Sequence, residues 1–219
     1  RDTNAWYHIV VRFDTTQSTA DDRCRIYVNG VQETSFSSRT NPAQGANLKM
    51  NNSGNTYNLG RDGGGGNTFD GQMAHVHWCD GQSYAPTTFG ETDSNGVWIP
   101  KTAPSVTYGT NGFFMKFDND SNMGLDSSGN GNNLTTTGTI IQNKDTPTNN
   151  HPTINKLDRR TNDMTVTNTG NTGETNASVY TPGVMSLGAD SGKWYWEVKV
   201  ASKTGSSDWH MIGIMGRTR

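Results

Sequence analysis

The chain has 219 residues, of which 30% are hydrophobic and 17% charged, with 26 glycines and a formal net charge of −2 at pH 7. No basic face appears, so the electrostatic footprint of nucleic-acid binding is missing. No apolar run approaches the roughly 20 residues of a membrane-crossing helix. Asn, Thr, Ser and Gly are abundant. The first three bond their own backbone and Gly carries extra unfolded-state entropy, so all disfavour helices. No apolar stripe at helical spacing runs over three turns, and the reading is an all-β chain. Cys24 and Cys79 are too few for a disulfide framework. They either pair strand to strand or stay as small half-buried thiols.

In chain order, residues 6–13 alternate as a first strand. Tyr7, Ile9, Val11 and Phe13 make an apolar face, and Trp6, His8, Val10 and Arg12 a mixed one. After a polar loop over 14–22, Arg25-Ile26-Tyr27-Val28 forms the second strand, ended by Asn29-Gly30. That pair takes positive φ cheaply and is the strongest short hairpin signal. The return strand is expected at 31–36, a short piece at 48–50, and another short strand at 57–60. Then come the glycines 63–66 and a strand within 73–79. There Ala74, Val76 and Trp78 share one face, and Met73, His75, His77 and Cys79 the other. Burying the first leaves only an indole N–H to satisfy. Burying the second demands partners for the ring nitrogens of two histidines. The histidine face is therefore expected to point outward or toward a partner, and a one-residue slip would exchange the faces.

Four pieces come in a specific order: Trp6-Tyr7-His8-Ile9-Val10, Arg25-Ile26-Tyr27-Val28-Asn29-Gly30, Tyr57-Asn58-Leu59-Gly60 and Phe69-Asp70-Gly71-Gln72-Met73-Ala74-His75-Val76. Together they resemble the C-terminal half of a LamG-like jelly roll of concanavalin A type, over residues 1–82. The resemblance implies an antiparallel β-sandwich whose N-terminal strands are missing from this numbering.

Further on, Asp80-Gly81-Gln82, Phe89-Gly90-Glu91-Thr92-Asp93, Val97-Trp98-Ile99-Pro100-Lys101, Tyr108-Gly109-Thr110-Asn111-Gly112-Phe113-Phe114 and Asp126-Ser127-Ser128-Gly129-Asn130-Gly131-Asn132 resemble a segment of tail-associated structural proteins of marine bacteriophages. In those, a jelly roll leads through this segment to a SPRY-like sandwich. Residues 83–163 read as an irregular connector with one strand near 113–117, where Phe113, Met115 and Phe117 share a face. Its stretch 134–163, rich in Thr and Asn, is expected to lie extended without regular structure. Residues 164–219 hold weak alternation at 164–167, a further strand within 178–187, a strong one at 194–200 and another at 209–215. Gly192-Lys193-Trp194-Tyr195-Trp196-Glu197-Val198 resembles the early strands of a SPRY domain, which the chain would leave about halfway.

Retaining glucanases of this fold need two carboxylates roughly 5 Å apart on a strand. Glu91-Thr92-Asp93 has no third acid and reads as a Gly-flanked turn, so no catalytic residue is assigned. Gly63–Gly66 lacks the lysine and helix of a phosphate loop. His75 and His77 either hold zinc, if His8 converges as a third ligand, or are solvated or stacked. Calcium wants six to eight oxygens. Asp62, Asp70, Asp118, Asp120 and Asp126, all in Gly/Asn-rich turns, are its candidates, though Asp also forms turns unaided. Sugar binding would use an aromatic stacked on a pyranose. The candidates are Trp6, Tyr84, Trp98 and Tyr108, and the competing reading is that they fill cores or pin loops. The expectation is a non-enzymatic virion protein of a phage tail or fibre. It would act by assembly with other virion proteins, as a homo-oligomer such as a trimer, and by contact with a host surface glycan or protein, without nucleic acid or membrane insertion. The alternatives are a capsid-decorating or head-appendage protein and, disfavoured by the missing acids, a carbohydrate-active enzyme.

Overall fold

The structure is a computed structural model that describes residues 5–51, 57–138, 140, 142, 145–154, 164–167, 171–175, 183–185, 187–188, 191–202 and 212–213. Among them the regular elements are nine short strands and three single turns of 3-10 helix. The chain is all-β, as its composition requires. It divides into two compact units, 1–186 and 187–219.

The first sheet is an antiparallel meander of β1 (Ile9–Phe13), β2 (Cys24–Val28) and β3 (Val31–Gln32). Asn29 and Gly30 turn the chain with φ of 50° and 79°, the doubly positive pair that a tight hairpin needs. Asn29 also accepts the His8 backbone N–H on its side-chain oxygen at 2.8 Å. The return strand stops after two residues instead of running to Phe36.

In this meander Val10 lies opposite Tyr27, while Ile9, Val11 and Phe13 lie opposite Val28, Ile26 and Cys24. The face that carries Tyr27, only 8% exposed, is the closed one. The apolar face is open: Ile9 is 62% exposed and Val31 72%. Hydrophobicity would have closed that face. The covering segments come instead from far along the chain and lie over the mixed face, where Arg12 donates to the Ser83 hydroxyl at 2.6 Å.

Those segments begin with β4 (Val76–Trp78), then β5 (Gly90–Thr92) paired with β6 (Trp98–Pro100), and β7 (Phe113–Met115), which pairs with β4. Glu91 and Thr92 thus lie in a strand, not in a turn. The turn is the Asp93–Gly96 loop that follows. Both β4 and β7 are short because His75 (φ 49°) and Phe117 (φ 60°) leave the extended region at their flanks. Met115 is fully buried and Phe114 6% exposed, so β7 is covered on both faces. Cys24 and Cys79 are separate half-buried thiols.

Beyond residue 126 the connector has no helix or strand among its described residues through 154. It is tied down at Asp145, 8% exposed, which accepts the Trp6 indole N–H at 3.3 Å and the His151 backbone N–H at 2.7 Å. The hairpin of β8 (Met164–Thr167) and β9 (Thr172–Thr175) follows, and Met164 beside it is buried. The second unit differs from expectation. Residues 194–200 form no strand, and Trp194 and Tyr195 are 69% and 82% exposed. A strand is stabilised by its ladder, and among the described residues none pairs with this one. The expected strands at 178–187 and 209–215 lie outside the described residues, apart from a few positions. One of these, Met185, bridges to Ile154.

Candidate functional site

Among the described residues, a histidine–aromatic junction is built where β4 pairs with β7. The β4–β7 register sets His77 opposite Phe114, and the two rings stack with centroids 4.0 Å apart. Phe89 lies 5.2 Å away and Tyr108 6.0 Å, stacked on the imidazole. The Tyr108 hydroxyl is hydrogen-bonded to His77 Nδ1 at 2.9 Å. His75, bent back by its left-handed backbone, meets the edge of Phe114 at 5.3 Å. The histidine side of β4 is therefore packed rather than turned outward, which corrects that part of the expectation, while Val76 and Trp78 on the other side are half-buried as well. The physical demand behind that expectation was sound: the imidazole is half-buried with a hydroxyl partner, and as the neutral ring. Burial drives His77 down to about 4, with His75 and His8 adding to the effect. Burial lowers His8 and His75 as well. It raises Cys79 to about 11 and Tyr108 to about 12, the latter with smaller contributions from Cys79 and Asp126.

His8 lies 5.8 Å from Trp98. The Trp98 ring rests on Gly30 and Gly90, where an added Cβ would strike the indole. His8 Nδ1 and Trp98 Nε1 are both buried without a hydrogen-bond partner.

The four aromatics proposed for sugar contact are all half-buried and engaged. Trp6 holds Asp145 in the connector. Tyr84 accepts the Thr107 N–H at 2.9 Å and meets the edge of Phe89. Trp98 pins the β5–β6 hairpin on the meander, and Tyr108 binds His77. In this structure they act as loop pins. Tyr108 also lines an open groove with Thr110, Ser128 and Asn130. Sequence reasoning read Phe89 as a loop pin, which its contacts with His77 and Tyr84 match, and missed Phe114 and Asp145 as partners in these contacts. Nothing local announces them, because each meets its partner across a long loop.

The acids proposed for calcium do not assemble. Among the described residues no three His, Cys, Asp or Glu side chains form a group able to hold a metal ion, which also leaves the three histidines without a zinc geometry. Asp62 closes its own turn, accepting Gly66 N–H at 2.9 Å and the Asn67 amide at 2.7 Å; the Gly66 bond chiefly holds its carboxyl below the usual range. Asp70, Asp118 and Asp120 are exposed. Asp126, 9% exposed, accepts Phe114 N–H, Ser128 N–H and the Ser128 hydroxyl at 2.8 Å each, and Asn132 N–H at 2.9 Å. Burial pushes it up, but these donors win and leave it below the usual range. A carboxylate so surrounded by donors organises a loop and offers a cation little. The nearest acid pair is spent likewise. Glu91 faces Lys101 at 3.7 Å, and Asp93 caps its turn through the N–H groups of Asn95 and Val97.

The open face of the meander carries a shallow apolar groove lined by Tyr7, Ile9, Ile26, Val28, Glu33 and Phe36. Residues 1–83 match the Laminin_G_3 family, described as the concanavalin A-like lectin/glucanases superfamily. That match supports a LamG-like, concanavalin A-type sandwich segment over those residues. No curated protein and no solved structure matches the chain.

Proposed function

We propose that this protein is a virion structural protein, a component of a bacteriophage tail or tail fibre that works by assembly and by binding a host-surface glycan or protein. The observation that carries this reading is the use of its polar groups. The carboxylates nearest to a glucanase pair, Glu91 and Asp93, are tied to Lys101 and to their own turn, while the meander turns an apolar face outward. A sheet with an open apolar face suits contact with other virion subunits, further copies of this chain among them. The concanavalin A-like match over 1–83 adds a scaffold common to lectins and glucanases. Residues 164–219 would belong to a second, SPRY-like sandwich, although 194–200 forms no strand in this structure. Low charge and a surface of amides and hydroxyls suit a particle exterior. The test is catalytic. Incubated with β-glucans, the chain releases no reducing sugar above background. Release that disappears in Glu91→Gln would overturn the reading in favour of an enzyme.

A further inference from the structure

We propose that the histidine–aromatic junction is an acid-operated latch, in which protonation of His77 releases the segment around Tyr108 and Phe114 from β4. The geometry places one imidazole at the point where three separately held segments meet: the approach to β5 through Phe89, the Tyr108 loop, and β7 through Phe114. A neutral ring stacks on Phe114, lies tilted against Phe89 and shares a hydrogen bond with Tyr108. A charged one must keep that place while stripped of water.

The surrounding groups do not compensate. The charges that bear on His77 are those of His75 and His8, and both oppose its protonation. From β7, Lys116 sits 5.6 Å over the Phe114 ring and opposes protonation of His75, which Asp118 alone favours. Cys79 and Asp126 act on Tyr108. Buried His8, with Nδ1 unpartnered, gains nothing by charging in place.

The sign follows from linkage. An opened junction returns His77 to its ordinary value near 6.5, while the closed one holds it at about 4. Between those values the opened state binds the extra proton, so acid favours opening, and the gain saturates below the lower value. The opened population should rise by up to about 300-fold across that window. This inference stands whether or not the chain belongs to a virion.

The experiment is amide hydrogen exchange on the full chain at Phe114 and Met115, from pH 7.5 to 3.5, corrected for intrinsic rates. Protection is expected to fall steeply between about pH 6.5 and 4 and then level, with the His77 Cε1 proton titrating near pH 4. In His77→Phe, which keeps the stack and loses the proton site, most of that fall should vanish. In Tyr108→Phe protection should drop at every pH and keep its slope. Protection that is flat from pH 7 to 4, or a fall that is unchanged in His77→Phe, overturns the latch. If His77→Phe does not fold, a His77 titration midpoint near 6.5 in the wild-type chain overturns it as well.

Discussion

Replacing Asp126 by Ala removes the acceptor around which the loop after β7 is wound. Four donors lose their partner: the Phe114, Ser128 and Asn132 N–H groups and the Ser128 hydroxyl. The bond to Phe114 is buried, and water reaches the others more readily. An orphaned buried donor costs about 1–3 kcal/mol, and each lost bond to a charged acceptor somewhat more than a neutral one. The bonds share one carboxylate and do not add fully, so the total is about 3–5 kcal/mol. With a urea slope of roughly 2 kcal/mol per molar, the unfolding midpoint falls by about 2 M. Asp126→Asn keeps one carbonyl oxygen and should lose about half as much. Tryptophan fluorescence in a urea titration reads both. The sign with pH is also set. The folded carboxyl lies below its ordinary 3.8, so its contribution is complete above that value and fades as pH falls through the lower, folded one. EDTA should leave the midpoint unchanged. A loss below about 1 kcal/mol in Asp126→Ala, or a midpoint that chelation lowers, would refute the reading of Asp126 as a loop organiser held by N–H donors.

Further outcomes follow from the same contacts. Gly90→Val should cost more than about 2 kcal/mol by displacing the Trp98 ring, whereas Val31→Ala, on the open face, should stay within about 0.5 kcal/mol; thermal melts compare them. Tyr108→Phe should cost about 1–2 kcal/mol through the loss of a half-buried hydrogen bond, read by the same urea titration. Asp145→Ala should leave the midpoint nearly in place and speed cleavage of residues 134–154 by a non-specific protease, since Trp6 and His151 then release the connector.

What the sequence disclosed was local. Asn29-Gly30 announced its hairpin because the required φ values belong to those two residues alone. The alternation over 6–13 located β1, but not its covered face. That choice rests on Trp98, which lies far along the chain and packs on the side bearing His8, and on Ser83, which holds Arg12 there. In β4 the period-two argument failed at His75, whose left-handed backbone ends the strand, and beyond it at His77, which found Tyr108 as a partner. The β5–β6 hairpin did leave a signal, Asn95-Gly96 between Glu91-Thr92 and Val97-Trp98-Ile99, a pattern hidden by reading the flanking glycines as loop. The aromatic candidates for a sugar site were visible as residue types, but their roles as pins depend on contacts such as Trp6 with Asp145 that no local pattern encodes. Residues 194–200 show the converse: a strong alternating pattern is not a strand until another strand bonds to it.

As the virion component proposed above, this chain would be built into a particle. Mass spectrometry of density-purified virions from a lysate that contains this sequence tests it most directly. The claim predicts peptides from residues 1–186 in the particle fraction at a constant ratio to the major structural proteins, resistant to washing in high salt. Peptides abundant in the lysate and missing from the washed particles would contradict it.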